Sequence, residues 1–415
     1  MSKIDRSKLF ETLKERGYVY QMTNEDSVRR IINGEPTTIY VGIDPTADSL
    51  HIGHFFSLMM TKYFQDAGHK AIVLIGGATA MVGDPSGRTD LRTMLTKEQV
   101  EHNLNEVKSL VERFVDTTGD NPAIIVSNAD WFKGREYVDF MRNVGKHFNV
   151  NKMLSNEAYA RRLEEGGLTF LEMGYMLMQA YDFVYLHEKY GCNLQIGGSD
   201  QWGNMTAGTE LARKMSFEDG IERNLECLTC PLLTNSEGQK MGKTAKGALW
   251  VAREKTSVYD FYQYWYNVQD KDVEKLLRLF TRTPLQEIKK LIDEDIRVAK
   301  KRMAFEITKL IHGEEEALKA QEASENLFGG GQNVDNAPTF EVGKSSLPMT
   351  LVDMVTASKL VSSKSEGRRM IEQGAVSING EVKKEFNLNI DESFFNDNML
   401  ILKKGKKNFI KVVLI

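Results

Sequence analysis

Two short runs hold residues whose types and spacing suit chemistry on phosphate. The first is Asp44-Pro45-Thr46-Ala47-Asp48-Ser49-Leu50-His51-Ile52-Gly53-His54. It joins a β-rich run, Thr38 to Ile43, to a helical stretch, roughly Phe55 to Asp66. A helix start offers free backbone N–H groups and positive potential, which suit an anion. His51 and His54 are three apart, so they share one side of the first turn and could reach phosphoryl oxygens. Gly53 would let a flat nucleotide approach the backbone. The same residues also read as a capping turn with two solvated histidines. A metal pair is a third reading, but no third ligand is spaced to complete it, so no metal site is expected.

The second run is Gly238-Gln239-Lys240-Met241-Gly242-Lys243-Thr244. It looks like a phosphate-binding loop ending in Gly-Lys-Thr, but that motif needs glycine at position 237, which is Glu237. No strong buried helix follows it. A mobile loop with two lysines and a hydroxyl could wrap a polyphosphate and stabilise the charge on departing pyrophosphate. A solvated basic loop is the plain alternative.

Elements to position these runs follow along the chain. Ala71 to Ile75 and Ala123 to Ser127 read as further strands, with a helix from Lys97 to Val115 between them. Residues 1–36 read as a helical lead-in, and Gly76 to Arg92 as a loop at a strand end. Strand alternating with helix implies an α/β fold with a doubly wound parallel sheet. In such sheets ligands bind beyond the carboxyl ends of the strands, so the loops after Ile43 and Ile75 are the places to look. Phe170 to Tyr190 is a long helix and Leu194 to Ile196 a short strand. Val258 to about Asn326 is almost all helical, Gly329 to Leu347 is a linker, and two short helices and alternating strands follow from Pro348. The domains expected are 1–246 for catalysis, an all-α domain at 247–328, a linker at 329–347 and a small α+β module at 348–415.

The composition bounds the possibilities. The chain has 415 residues, enough for two to four domains, and is 41% hydrophobic and 27% charged, so it folds around a core. Ala71 to Gly83, the longest apolar-looking run, is too short to span a bilayer, and the N-terminus lacks an apolar signal segment. A cytoplasmic protein without a membrane partner is therefore expected. Only Cys192, Cys227 and Cys230 are present, which excludes a disulfide scaffold. The Cys227–Cys230 pair lacks two further zinc ligands and reads as buried thiols, as does Cys192. The net charge of −4 alone argues against nucleic acid. Its distribution does not, because Met349 to Ile415 holds eleven Lys/Arg against eight Asp/Glu. A small basic module follows an acidic body.

Together the two runs, about 190 residues apart, resemble the paired signature of class I aminoacyl-tRNA synthetases: an early His-x-Gly-His turn and a later Lys-Met-Ser-Lys-Ser loop. Here the loop reads Lys-Met-Gly-Lys-Thr, with the third-position hydroxyl lost and the fifth kept. Four more segments resemble the bacterial tyrosyl-tRNA synthetase family. They are Tyr40 to Thr46, Gly83 to Gly87, Tyr175 to Asp182, and Gln195 to Asn204. The C-terminal segment resembles the RNA-binding module also seen in ribosomal protein S4. The likeness runs from Lys8 onward and implies a Rossmann-like catalytic domain, an all-α domain and an S4-like module.

The resemblance implies roles for particular residues. Tyr40 and Asp182 would bind a phenol. Asp84, Tyr175 and Gln179 would hold an α-ammonium. Gly198 and Asp200 would hold the ATP ribose, with Asp44, Thr46, Gly53 and Lys243 also at ATP. Gln201 would contact the aminoacyl group, and Gln195 belongs with the tyrosine-binding set. His51, His54, Lys240, Lys243 and Thr244 would act on the phosphates, with Arg88 and Arg92 in a loop that swings toward pyrophosphate. Arg88 stands where relatives often have lysine, which keeps the charge and changes the geometry. Tyr175, Gln179 and Asp182 also share one helix face, where a buried amide and carboxylate need partners that a polar substrate supplies. Lys364, Arg368, Arg369, Lys403, Lys404, Lys406 and Lys407 would hold tRNA(Tyr). Further implications are ATP as substrate, Mg²⁺ carried on its phosphates, and a homodimer. Three other readings compete: a tryptophanyl-tRNA synthetase, a cofactor adenylyltransferase, and a non-catalytic RNA-binding relative.

Overall fold

Five of the six residues of Thr38–Ile43 are buried, as a strand covered on both faces requires. In the computed structural model, which describes residues 4–86, 94–244, 247–328, 338–396, 398–405 and 408–415, this strand sits in the middle of a six-stranded sheet. The strands are β1 (Gln21–Met22), β2 (Thr38–Ile43), β3 (Lys70–Ile75), β4 (Ile124–Ser127), β5 (Cys192–Gly198) and β6 (Glu226–Cys230). Their order is β1-β6-β5-β2-β3-β4. All pairings are parallel except β1 with β6. The chain leaves β2 for β3 on one side and returns to β5 on the other. A crevice therefore opens between the carboxyl ends of β2 and β5, the switch point of such sheets.

Two helices flank that crevice. Ile52–Asp66 is buried at eleven of its fifteen positions and packs on β2 and β3. Phe170–Tyr190 starts at a capping box, Thr169 with Glu172, and ends at Gly191, which takes φ +65°. It packs on β5 and on the helix Trp202–Asp219. Cys192 lies in β5, Cys227 and Cys230 in β6, and all three thiols are buried. Past β6, two short strands, β7 (Lys243–Thr244) and β8 (Gly247–Ala248), form a hairpin.

The contacts group the chain into two units. One is 1–256 with 268–303, the other 257–267 with 304–415. Residues 268–303 join the first unit because its N-terminal helix, Leu9–Arg16, grips them. Arg16 is buried and donates to the carbonyls of Arg278, Thr281 and Thr283 at 3.0, 2.8 and 2.9 Å. Tyr18 donates to the Leu279 carbonyl. The carbonyls of Arg278 and Leu279 belong to the last turn of the helix Asp270–Phe280, which has no intrahelical donor for them, and those of Thr281 and Thr283 follow it.

In the second unit, the helices Val258–Tyr266 and Glu314–Phe328 pack side by side, with Gln263 Nε2 donating to Ser324 Oγ at 2.7 Å. The C-terminal strands are β9 (Thr339–Val342), β10 (Met349–Thr350), β11 (Val376–Ile378), β12 (Glu381–Val382), β13 (Asn389–Ile390), β14 (Met399–Lys404) and β15 (Asn408–Leu414). Five make a sheet ordered β12-β11-β14-β15-β9, and β10 pairs with β13. The helices Leu351–Ala357 and Lys364–Glu372 supply Leu351, Val355 and Ile371 to a core shared with Leu400, Leu402 and Val412 of the sheet.

Four details depart from the sequence reading. Thr339–Val342, placed in the linker, is a strand of the C-terminal sheet and pairs in parallel with β15. The lead-in is not wholly helical: β1 forms there, and two residues are too few to show alternation. The helix after β2 begins at Ile52, one turn earlier than expected. The loop after β3 contains a helical turn, Thr79–Val82. Among the described residues no helix is long and apolar enough to cross a membrane.

Replacing Arg16 with methionine would keep the stem and leave three buried carbonyls without a donor. The expected loss is about 2–4 kcal/mol of unfolding free energy. The denaturation midpoint, followed by circular dichroism, measures it.

Candidate active site

The crevice holds a cleft of about 270 Å³ where the sequence-picked residues meet. Tyr40, Asp44, Thr46, His51, Gly53, His54, Asp84, Tyr175, Gln179, Asp182, Gln195, Gly198, Asp200, Gln201 and Lys240 all line it. They come from β2 and β5 and the segments that follow them, the loop after β3, the two flanking helices and the loop before β7. Arg88 and Arg92 lie outside the described residues, as do the side chains of Lys243 and Thr244.

At one end of the cleft His51 is the N-cap of its helix. Its Nδ1 accepts the Gly53 N–H at 3.0 Å and the His54 N–H at 3.4 Å. The His51 and His54 rings stack, with centroids 3.8 Å apart. A Cβ on Gly53 would come within 2.9 Å of His51 Cε1, so the glycine makes room for the imidazole itself. The histidines are thus a cap and its stacked neighbour, and not a solvated pair. His54 is buried, and its Nδ1 has no protein partner. Burial, then the neighbouring His51 and Lys240, holds it well below the usual imidazole range, so it is neutral.

The lysine loop stands beside this turn. Lys240 bridges to Thr234, and the Leu249 N–H donates to the Gly242 carbonyl at 2.6 Å. Gly242 takes φ +86°, and a Cβ there would lie 2.3 Å from Ile52 Cγ2. That explains the missing third-position hydroxyl: the side-chain space is filled by Ile52. Trp250 bridges to His51, and Val251 N–H donates to the Leu50 carbonyl. The two runs are therefore packed together.

At the other end, a hydrogen-bonded chain crosses the floor. Tyr175 Oη donates to Asp44 Oδ2 at 2.9 Å, and Thr79 Oγ1 donates to Asp44 Oδ1 at 2.8 Å. Asn128 Nδ2 donates to Thr79 Oγ1 at 3.0 Å and to Asp182 Oδ2 at 3.1 Å. Trp131 Nε1 donates to Asp182 Oδ1 at 2.8 Å. Even with these donors, burial pushes the Asp182 carboxyl up to about 8. Its burial, and then Asp182, push the Tyr40 phenol well up. A second cluster joins Asp84 to Gln201 Nε2 at 2.7 Å and to the Ser86 N–H at 2.9 Å. Burial raises Asp200, and the charge of Lys240 opposes it.

Four buried polar atoms on this lining have no protein partner: Tyr40 Oη, His54 Nδ1, Gln179 Oε1 and Gln195 Oε1. Tyr40 and Gln195 are cross-strand neighbours on β2 and β5. Buried polar atoms are nearly always satisfied, so four together mark a surface built for a polar ligand. Thr79, Asn128, Trp131 and Asn204 belong to the site and were missed in the sequence. Asn128 carried a usable signal, since it directly follows β4 at its carboxyl end.

The basic residues of the C-terminal module are divided. Lys364, Arg368 and Arg369 are exposed on the helix Lys364–Glu372. Lys364 Nζ pairs with Asp353 at 2.5 Å, and the Arg368 guanidinium lies over the Phe386 ring at 5.3 Å. Lys403 and Lys404 are adjacent on β14, so they point to opposite faces of the sheet. Lys404 reaches Glu366 at 3.4 Å on the helix side. Lys406 and Lys407 lie outside the described residues.

This sheet, its switch-point cleft and its paired runs are those of class I tRNA synthetases. The family model for the class I enzymes of the tryptophan and tyrosine type matches residues 33–329. A model of the tyrosine–tRNA ligase SYY-like C-terminal domain matches residues 331–412. A tyrosine–tRNA ligase of Clostridium botulinum (strain Alaska E43 / Type E3) is 52% identical over 407 residues, 97% of this chain and 98% of the relative. That of Clostridium perfringens (strain 13 / Type A) is 51% identical over 98% and 99% of the two chains. The chain belongs to the tyrosine–tRNA ligase family. Among solved structures, a C-terminally truncated mitochondrial tyrosyl-tRNA synthetase of Aspergillus nidulans aligns with TM-score 0.68 and 29% identity. It covers 77% of this chain and 94% of its own.

Asparagine caps helices well and alanine does not. His51→Ala should lower stability by about 1 kcal/mol, and His51→Asn should restore it. Thermal unfolding of the two variants separates the capping role from any role of the imidazole.

Proposed function

We propose that the chain activates tyrosine with ATP and then transfers the tyrosyl group to the 3′ end of tRNA(Tyr). The observation that carries the chemistry is the convergence of four unpartnered buried polar atoms on one cleft that both phosphate-suited runs also line. Tyr40 and Asp182 would read the phenol, with Gln195 beside Tyr40. Tyr175 donates its hydroxyl hydrogen to Asp44 and would face an α-ammonium. Asp84 and the amide oxygen of Gln179 would complete that pocket. Gly198, Asp200 and Thr46 would take the ATP ribose and neighbouring groups, and Gln201 the aminoacyl group. Mg²⁺ would arrive on the ATP phosphates.

The tyrosine carboxylate oxygen attacks the α-phosphorus, a P–O bond forms, and pyrophosphate leaves with the bonding pair. A terminal ribose hydroxyl of the tRNA then attacks the acyl carbon and AMP leaves. No protein nucleophile is needed, so the work is positioning and charge stabilisation. His51 and His54 can donate to phosphate oxygens, His54 as a neutral imidazole. Lys240, Lys243 and Thr244 would meet the pyrophosphate, with Arg88 and Arg92 approaching from their loop. Removing one such donor typically costs about 10²–10³ in rate.

The exposed cations Lys364, Arg368 and Arg369 support a tRNA contact on the C-terminal module. Exposed Tyr137, Val138, Val150, Leu163, Phe170 and Leu171 sit on helices around the core of Met153, Tyr159, Met176 and Leu177. That apolar surface supports a homodimer. A cytoplasmic setting fits a tRNA substrate.

Tyrosine-dependent ATP–pyrophosphate exchange tests the reading. Exchange with tyrosine and none with tryptophan is the expected result, and the reverse would refute the specificity. A second test uses Asp182, whose carboxyl is protonated at neutral pH. A phenol donating to ionised Asp182 must expel that proton. Tyrosine affinity should then rise by up to about tenfold per unit between pH 6 and 8 and flatten above. Calorimetry in buffers of different ionisation enthalpy should show proton release, absent in Asp182→Asn.

A further inference from the structure

Successive residues of a strand face opposite ways. On β15, Ile410 and Val412 face the module's own core, under the helices Leu351–Ala357 and Lys364–Glu372. Phe409 is therefore on the outer face, where the module offers it no core. Yet Phe409 is only 6% exposed. Its cover comes from elsewhere in the second unit: Tyr259 of the helix Val258–Tyr266 and Ala323 of the helix Glu314–Phe328. The Phe409 and Tyr259 rings meet edge to face, with centroids 5.5 Å apart and planes at 76°. The rest of that face is more open. Met399, Ile401, Lys403, Lys411 and Val413 are all partly exposed. Among the described residues Phe409 is thus an aromatic knob against two helices, placed directly across from Lys403 in the β14–β15 register.

The opposite face of the sheet carries Lys364, Arg368 and Arg369 on their helix. Seating the knob therefore turns these cations away from the helical pair and toward solvent. We propose that Phe409 is a positioning residue: it latches the C-terminal module to the two helices and so fixes the direction in which its basic helix is presented to tRNA. For its readout in charging, this rests on the function proposed above. The latch itself does not.

The test uses the full-length chain. Phe409→Ala removes the knob. Ala323→Glu puts a charge into the slot from the helix side and leaves the module's core intact. Either variant should raise the radius of gyration measured by small-angle scattering, while Phe409→Leu keeps the wild-type value. Both should leave tyrosine-dependent pyrophosphate exchange unchanged. In charging, both should raise the KM for tRNA by roughly tenfold with kcat little altered, because a freed module presents its cations at a lower effective concentration. The double variant should be no worse than either alone. Unchanged scattering in both single variants would overturn the latch. Changed scattering with an unchanged KM for tRNA would overturn its positioning role. If the wild type showed no exchange with tyrosine, the proposed function would fail, and scattering would still decide the latch.

Discussion

The site depends on the two hydrogen bonds accepted by Asp44. Thr79 donates to one carboxylate oxygen and Tyr175 to the other. Those bonds tie the end of β2 to the turn after β3 and to the Phe170–Tyr190 helix. Thr79 passes the linkage to Asn128 after β4, and Asn128 passes it to Asp182 on that same helix. Four parts of the fold are thus held by one connected set of polar groups. Such a set is stable only when each member is satisfied. Asp44 therefore reads better as the keystone of the floor than as a simple nucleotide ligand. A Cβ on Gly76 would come within 2.0 Å of its Oδ1, so even the glycine after β3 makes room for this carboxylate.

The electrostatics of the cleft divide along its length. Its deep end carries a carboxyl and a phenol, both pushed up by burial, so no net charge accumulates there. Its mouth carries neutral His54 and the cation of Lys240, which suits a polyphosphate. A neutral aromatic end and a cationic end in one cleft match a substrate pair that joins a phenol to a triphosphate. Buried polar groups left open for that purpose lower the stability of the empty protein, and the surrounding sheet offsets it.

Much of the frame was legible in the sequence because its signals are long. The apolar runs of β2 and β3 and the 21-residue helix gave strong patterns. That Tyr175, Gln179 and Asp182 share one helix face followed from their spacing, while their place in the site came from the family resemblance. Other features leave no local trace. β1 has two residues and is set by its pairing with β6. His51 is an unusual cap, so the helix start was read a turn late. Thr79, Trp131 and Asn204 act through partners as far as 49, 51 and 120 residues away. The clamp of Arg16 on Thr283 spans 267 residues. Only the folded chain reveals such contacts. The charge asymmetry between body and C-terminal module was visible from counting, but not that Lys403 and Lys404 look in opposite directions.

The contact between Gly242 and Ile52 has a consequence for how this protein can vary. The two positions belong to different signature runs and are far apart in the chain, yet they occupy one volume. If residue 242 acquired a side chain, residue 52 would have to surrender bulk, and the backbone at 242 would have to leave its left-handed conformation. A change at either place is thus not a local event. The two runs are bound to drift together or not at all.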